Sequence, residues 1–282
     1  MKCAWQAYLN ILPVWLRESV DKQGKETLQE LRLRLNSPPQ LITADKVVTL
    51  ERIVSLEDLK FCINVASRYS PWSAETISFG YVTAQGGHRI GICGQTAVQN
   101  NKILTFQSVT SLCIRVARDF TGVSGDLYTY DRSILIIGKP SSGKTTLLRD
   151  LIRQKSNHNR GAIAVVDERS EIFPFANGQL LFPVGRQTDV LIGTGKQEGI
   201  ESLIRNMAPG YIAVDEITSQ ADCDALLKAG WCGVNLIATA HAGDFRDFLS
   251  RPIYRPLVES KLFSCIVVMH EDKSWHIEGD KA

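Results

Sequence analysis

A glycine-rich loop between a strand and a helix is the feature that most restricts how this chain can fold. Residues 138–145 read GKPSSGKT, which matches the pattern G-x-x-x-x-G-K-[ST] in full. The apolar run before it, 134–137, has the length and β-branching typical of a buried parallel strand. The apolar residues after it recur at helical spacing. Strand, loop and helix in this order predict a phosphate-binding loop and therefore a nucleotide site.

The composition of the loop has a chemical reason. Glycines allow the backbone to wrap around an anion, so that N–H groups point at phosphate oxygens. Lys144 supplies a positive charge for the β- and γ-phosphates, and the hydroxyl of Thr145 is a ligand for Mg²⁺. We therefore predict ATP and Mg²⁺ as cofactors. The predicted nucleotide-binding residues are Gly138, Lys139, Pro140, Ser141, Ser142, Gly143, Lys144, Thr145 and Thr146.

Hydrolysis also requires carboxylates near the loop, one beside Mg²⁺ and one that orients or deprotonates the attacking water. Asp167-Glu168 and Asp215-Glu216 both follow apolar runs, where the carboxyl ends of parallel strands bind ligands. We favour Asp215 for the metal and Glu216 for the water, with Glu168 as the other candidate base. The alternative is that one pair only caps the segment after it. His241, which ends the run LIATA, is a candidate γ-phosphate sensor, although a lone histidine there is more often structural.

Bulk properties restrict the class of protein. A length of 282 residues suggests about two domains. The net charge of +2, with no stripe of Lys and Arg interleaved with aromatic residues, argues against a nucleic-acid partner. Seven scattered cysteines without a C-x-x-C pair favour buried thiols in a reducing compartment. Because neither a signal peptide nor a membrane span is predicted, we expect a cytoplasmic protein.

The element pattern changes near residue 125. In residues 1–125 we predict an opening helix that is interrupted or bent near Pro13, a helix starting at Ser55 and several β segments, the last of them over 112–117. In residues 126–282, apolar strands alternate with helices, which predicts a mostly parallel sheet. We expect the glycine-containing stretch 182–195 to be a loop. The predicted fold class is α/β, a mostly parallel sheet domain preceded by a smaller α+β domain.

Four segments occur in an informative order: KPSSGKTT, AVVDERSE, RNMAPGYIAVDEI and LIATAHAG. They resemble the phosphate loop (Walker A), aspartate box, metal-binding strand and histidine box of the secretion ATPases of type II and type IV systems. The segments LRLRLNSPPQLI, GYVTAQGGHRIGICGQ and SLCIRVAR add a resemblance to the stage III sporulation protein AA family. The resemblance covers most of the chain and implies that residues 126–282 form a RecA-like P-loop ATPase domain.

The resemblance also implies a setting and partners. It implies a mother-cell ATPase of endospore-forming bacteria that docks on membrane proteins of the channel complex between mother cell and forespore. It implies a ring, expected to be hexameric, with nucleotide between the two domains. Arg89, Arg115 and Arg118 lie in β segments of the smaller domain, where that superfamily keeps arginines that reach the phosphates. Arg205, before the metal-binding strand, also matches an arginine of the superfamily. The alternative for each arginine is a charge on a solvated surface.

Two other functions stay open at this point. One is a nucleic-acid-stimulated ATPase, against which the near-neutral charge argues. The other is a nucleotide-gated scaffold that binds ATP in order to assemble and hydrolyses little of it. The residues do not separate this scaffold from a motor, because the same loop and carboxylates serve both.

Overall fold

The computed structural model describes residues 1–67, 80–99, 102–158, 161–176 and 178–278. Tertiary contacts divide the chain into two compact units. Unit 1 consists of Met1–Asp119 and Pro174–Leu181, and unit 2 of Phe120–Phe173 and Phe182–Ala282. The division into domains of residues 1–125 and 126–282 stays a prediction.

Unit 1 combines helices with an antiparallel sheet. Its helices are α1 (Trp5–Ile11), α2 (Val14–Gln23) and α3 (Leu56–Ser67). In the order of the sheet, its strands are β3 (Val47–Thr49), β2 (Gln40–Ile42), β1 (Glu30–Arg34), β6 (Lys102–Arg115), β5 (Arg89–Gln99) and β4 (Tyr81–Thr83). A short antiparallel pair, β9 (Phe175–Ala176) and β10 (Gln179–Leu180), belongs to the same unit. The prediction of an α+β unit ahead of a parallel sheet is confirmed.

Local sequence signals explain the start of this unit. Pro13 separates α1 from α2, as predicted, because its ring cannot continue a helix. Before α3, the hydroxyl of Ser55 accepts the N–H of Asp58 at 3.2 Å, and the Asp58 carboxylate accepts the N–H of Ser55 at 2.9 Å. This reciprocal capping box satisfies N–H groups that the first helical turn leaves unpaired.

Strand β6 is longer than the predicted strand over 112–117, which missed residues 102–111. Three bulges explain the miss. The register with β5 skips Leu104, Gln107 and Thr110, so that Ile103, Phe106 and Val109 lie opposite Val98, Thr96 and Gly94. Apolar residues of β6 therefore recur every third residue, whereas an unbulged strand repeats every second.

Unit 2 is built on a mostly parallel sheet. In sheet order its strands are β11 (Thr188–Ile192), β8 (Ile163–Asp167), β12 (Tyr211–Ile217), β13 (Asn235–His241), β7 (Ile134–Gly138), β14 (Cys265–Met269) and β15 (Trp275–Glu278). Only β15 is antiparallel to its neighbour among the strands described. The helices are α4 (Lys144–Asn157), α5 (Lys196–Met207), α6 (Gln220–Trp231), α7 (Phe245–Ser250) and α8 (Arg255–Glu259). The predicted α/β fold is confirmed.

Both faces of the central strands of this sheet are buried, which explains why their apolar runs are continuous. In β7, Leu135 and Ile137 join one apolar cluster and Ile134 and Ile136 join another. Because the central strands β7, β12 and β13 are parallel, their carboxyl ends lie at the same edge of the sheet. None of the helices in the described ranges is both apolar enough and long enough to span a bilayer.

The prediction that 182–195 is a loop is wrong for Thr188–Ile192. These residues form β11, which pairs in parallel with β8 at the edge of the sheet. Its residues are half-buried or exposed, and Asp189 interrupts the apolar run. An edge strand of this kind gains its structure from one ladder of backbone hydrogen bonds, which sequence periodicity does not report.

Candidate nucleotide site

The loop that joins β7 to α4 has a backbone that only part of its sequence favours. Gly143 has φ +102°, and Ser141, which is not a glycine, has φ +61°. A Cβ atom on Gly138 would lie 2.6 Å from the hydroxyl oxygen of Ser142 and 2.8 Å from Cβ of Met269. Left-handed residues on either side of Ser142 are the geometry of a backbone concavity for anions.

Lys144, at the start of α4, is only 5% exposed. Its Nζ donates hydrogen bonds to the carbonyl oxygens of Gly138 and Lys139, both at 2.9 Å. Burial lowers the pKa of this amine. In the same loop the buried hydroxyl of Ser142 has no hydrogen-bond partner among the residues described. A buried cation and an unsatisfied hydroxyl in one anion-shaped loop fit a phosphate group.

Oxygen atoms that suit Mg²⁺ lie beside this loop. The hydroxyl of Thr145 donates to Asp215 Oδ2 at 2.7 Å, and the hydroxyl of Thr239 donates to Asp215 Oδ1. Burial raises the pKa of Asp215, while these two hydrogen bonds lower it. The described residues contain no cluster of three His, Cys, Asp or Glu side chains able to hold a metal by itself. The set suits an ion that shares its ligands with phosphate and water, as Mg²⁺ usually does.

Glu216 stands in an unusual backbone position. Its φ is +49°, and the register between β12 and β13 shifts between Val214 and Ile217. The backbone N–H of Glu216 donates to the hydroxyl of Thr239 at 2.8 Å. A bulge with a left-handed, non-glycine residue costs conformational energy and is common beside functional sites.

His241 lies between Glu216 and Lys144. Its Nδ1 is 3.1 Å from Lys144 Nζ, and its Nε2 is 2.9 Å from Glu216 Oε1. Because an ammonium group only donates, Nδ1 accepts from Lys144, and the proton on Nε2 is then donated to Glu216. The structure thus brings together the predicted loop lysine, the predicted base and the predicted sensor.

The second acidic pair has two different environments. The carboxylate of Asp167 accepts the N–H groups of Glu171 and Phe173, each at 2.8 Å, and burial raises its pKa to about 6. Asp167 thus caps the segment that follows β8, which is the alternative that the sequence left open. Glu168 pairs with Lys196 at 3.2 Å. Both acidic pairs line a cavity of about 450 Å³ in unit 2, so Glu168 faces the same space as Glu216.

The predicted arginines are distributed differently. Arg89 and Arg115 lie directly opposite each other on β5 and β6 of unit 1. The guanidinium of Arg89 stacks 4.0 Å above the centre of the Tyr81 ring, and Nε of Arg115 is 3.6 Å from the carboxylate of Glu30. The structure therefore places the two as one pair on a sheet surface.

Arg118 and Arg205, the other two predicted arginines, make local contacts. Arg118 donates to the carbonyl oxygens of Lys25, at 2.7 Å, and of Leu28, and so connects segments within unit 1. Arg205 is exposed on α5 and is 3.9 Å from Glu201, one helical turn away. Its contact is that of a solvated helix surface.

Segments 265–269 and 275–277 are predicted as a closing hairpin, which the antiparallel pair β14–β15 confirms, but the contacts of its turn with the phosphate loop were not predicted. In this turn Glu271 pairs with Lys139 of the loop at 2.7 Å, and the ammonium of Lys273 donates to the carbonyl oxygen of Ser141. The only signal available was the charged stretch HEDKS, which matches no motif.

Comparison with known proteins gives this site a family. A family model described as "Sporulation stage III, protein AA" matches residues 5–279. Stage III sporulation protein AA of Bacillus subtilis (strain 168) is 38% identical over 258 residues, which cover 88% of this chain and 84% of that protein. Protein SEEDLING PLASTID DEVELOPMENT 1 of Arabidopsis thaliana is 29% identical over 268 residues, but these cover only 36% of its length.

Solved structures are similar in fold at low sequence identity. The ATPase DotB of Legionella pneumophila matches with a TM-score of 0.60 at 15% identity, over 94% of this chain and 79% of that one. The pilus retraction motor PilT, solved with bound ADP, matches with a TM-score of 0.58 at 16% identity, over 89% and 76% of the two chains. These likenesses confirm the fold of the secretion ATPases. By its family model and its bacterial relative, the chain belongs to the sporulation stage III, protein AA family.

Proposed function

We propose that this chain is a Mg²⁺-dependent ATPase of endospore formation, which powers assembly of, or transport through, a channel complex between mother cell and forespore. One observation carries the enzymatic part. A complete phosphate loop lies near two carboxylates of β12, which is separated from β7 by β13, with Thr145 bonded to Asp215 and His241 bonded to Glu216. Strained residues such as Glu216 cluster at active sites, which supports hydrolysis as well as binding.

Each side chain has a role in this proposal. The loop residues 138–146 and Lys144 hold the phosphates. Thr145 and Asp215 hold Mg²⁺, which when bound neutralises charge on the phosphates. Glu216 orients or deprotonates the attacking water, and His241 fixes the carboxylate through its Nε2–H. Arg89 and Arg115 supply positive charge to the transferred phosphoryl group.

The setting is inferred from the family and the fold. Membership of a sporulation family supports a role in the mother cell, and the fold of secretion ATPases supports a hexameric ring. We propose a cytoplasmic protein that associates with membrane proteins of the channel complex. The ring, the location and these partners are all parts of the proposal.

Steady-state phosphate release tests the enzymatic part. Wild-type protein is compared with Glu216→Gln, which keeps the shape of the side chain and removes its charge. We expect turnover with Mg²⁺ that falls about 100-fold in the variant while nucleotide still binds. Binding without turnover in the wild type would instead favour the scaffold. Turnover that depends on added single-stranded DNA or RNA would favour the nucleic-acid-stimulated enzyme.

The arginine pair is tested by mixing subunits. Arg89→Ala and Arg115→Ala variants are each mixed with Lys144→Ala, and activity is followed against protein concentration. Recovery of activity in the mixture indicates arginines that act on a neighbouring subunit, because one intact site then forms from two defective chains. Full activity of both arginine variants would exclude the pair from catalysis.

A further inference from the structure

The turn between β14 and β15 contacts the phosphate loop at two points, although it belongs to none of the motifs in the sequence. The carboxylate of Glu271 pairs with Lys139 at 2.7 Å, and the ammonium of Lys273 donates to the carbonyl oxygen of Ser141. Glu271 brings a negative charge to the side chain of Lys139. Lys273 brings a positive charge to the backbone of Ser141, two residues further along the loop. They hold the loop at its backbone and at a side chain.

The contact of Lys273 fixes one peptide group of the loop at both ends. The group between Ser141 and Ser142 has its carbonyl held by Lys273, while its N–H donates to the carbonyl of Lys139 at 3.2 Å. Hydrogen bonds at both ends of a planar peptide group oppose its rotation. This matters because Ser141 is left-handed without being a glycine, a conformation that persists only when surrounding contacts enforce it.

The turn itself is held together by four internal hydrogen bonds. The carboxylate of Asp272 accepts both the N–H and the hydroxyl of Ser274, at 2.9 and 2.6 Å. The backbone N–H of His270 donates to the carbonyl of Ser274 at 2.9 Å, and that of Lys273 donates to His270 at 3.1 Å. The side chains of the turn thus project from a closed loop of hydrogen bonds.

The strand after the turn is anchored to the segment 122–125, which contacts the helix that follows the loop. Trp275 Nε1 donates to the carbonyl of Val123 at 2.9 Å. The neighbouring Ser124 donates its N–H and hydroxyl to the buried carboxylate of Asp150, at 2.9 and 2.8 Å, and Asp150 lies on α4 behind the phosphate loop. The turn is therefore connected directly to the loop. Through residues 122–125 it is also connected to α4, the helix that follows the loop.

We propose that Glu271 and Lys273 are positioning residues of the nucleotide site, which hold the phosphate loop in its anion-binding shape before nucleotide arrives. This inference rests on the proposed nucleotide binding and adds the turn after β14 to the site. The benefit is preorganisation, since a loop that is already shaped loses less conformational freedom on binding. Both contacts are solvent-exposed, so each is expected to change affinity only a few-fold.

Calorimetry with magnesium ADP tests the proposal, because ADP binds without turnover. We expect Lys273→Met and Glu271→Gln each to raise the Kd about two- to fivefold, with an unchanged melting temperature. Lys273→Arg keeps a donor and should restore most of the affinity. Lys261→Met, a lysine at an exposed position outside the site, is the matched control and should leave the Kd unchanged.

An exchange of charges tests the Glu271 contact separately. Lys139→Glu and Glu271→Lys should each weaken magnesium ADP, and the double exchange should recover part of the loss. Wild-type affinity in Lys273→Met and Glu271→Gln would overturn the inference, as would an equal loss in Lys261→Met. Failure of the wild type to bind magnesium ADP would contradict the proposed function instead, so the two failures are distinguishable.

Discussion

Thr145 Oγ1 lies 2.7 Å from Asp215 Oδ2, a hydrogen bond between residues 70 positions apart in the chain. Asp215→Asn keeps an acceptor oxygen but removes the charge that favours a divalent cation. We expect the variant to bind ADP without Mg²⁺ as the wild type does, and to lose about 10- to 100-fold of the additional affinity that Mg²⁺ gives. Calorimetry with and without Mg²⁺ measures this difference. Asp224→Asn, an exposed carboxylate of α6, is the control.

Glu216 and Glu168 offer a direct comparison between the two acidic pairs. Glu168 shares its charge with Lys196, whereas Glu216 contacts His241. We therefore expect Glu216→Gln to lower kcat about 100-fold and Glu168→Gln to lower it far less. Phosphate release by both variants at saturating ATP measures this. The opposite ranking would transfer the role of base to Glu168.

Lys144 tests the loop as a phosphate site. Lys144→Ala removes a buried charge-assisted donor, which should weaken ATP binding by about 1.5–3 kcal/mol. Lys139→Ala, a change at an exposed lysine of the same loop, should cost much less. Calorimetry on both variants checks the ranking. Unchanged ATP affinity in Lys144→Ala would contradict the assignment of the site.

His88 predicts how unit 1 responds to acid. The ring is buried, with Nε2 3.0 Å from the carbonyl of Ala4 and Nδ1 accepting the N–H of Ala117 at 3.1 Å. Burial lowers its pKa from 6.5 to about 4. Between pH 6.5 and about pH 4, the unfolded chain therefore binds a proton at His88 that the folded chain does not bind. The contribution of His88 to the free energy of unfolding is complete above pH 6.5 and decreases as the pH falls towards 4.

This difference corresponds to about 2 kcal/mol lost between pH 7 and pH 5. Urea unfolding of the wild type and of His88→Gln at both pH values measures it. The glutamine variant starts from a lower stability but should show a smaller change with pH. The same pH dependence in both proteins would assign the acid sensitivity to other groups.

Much of the site was predictable because its chemistry is local in sequence. The loop 138–145, the acids at the ends of β8 and β12 and the histidine at the end of β13 all follow apolar strands, and parallel strands bring such ends together. The strand periodicity also predicted the sheet. The arrangement of Lys144, His241 and Glu216 follows from strand order, which no single segment contains.

Other parts were not predictable from patterns. The roles of Glu271 and Lys273 depend on β14 lying beside β7, and a charged turn has no signature for that contact. Asp167 caps the segment after β8 because it accepts the backbone N–H groups of residues 171 and 173, whereas Glu168 does not. The sequence does not reveal the direction of these N–H groups. Strand β11 is an edge strand whose composition does not distinguish it from a loop.

Because of its three bulges, β6 needs more residues than its partner β5 to cover the same length of the ladder. Between Ile103 and Leu112, β6 uses three residues for every two on β5. The ladder with its three bulges therefore forms only if this part of β6 is three residues longer than the part of β5 that it faces. Deleting one residue between Leu104 and Thr110 would leave the ladder able to re-form. Keeping all three bulges after the deletion would instead shift the register by one residue, which exchanges the side chains that face inwards with those that face solvent. In this ribbon the chain length is as much a determinant of the structure as the identity of any side chain.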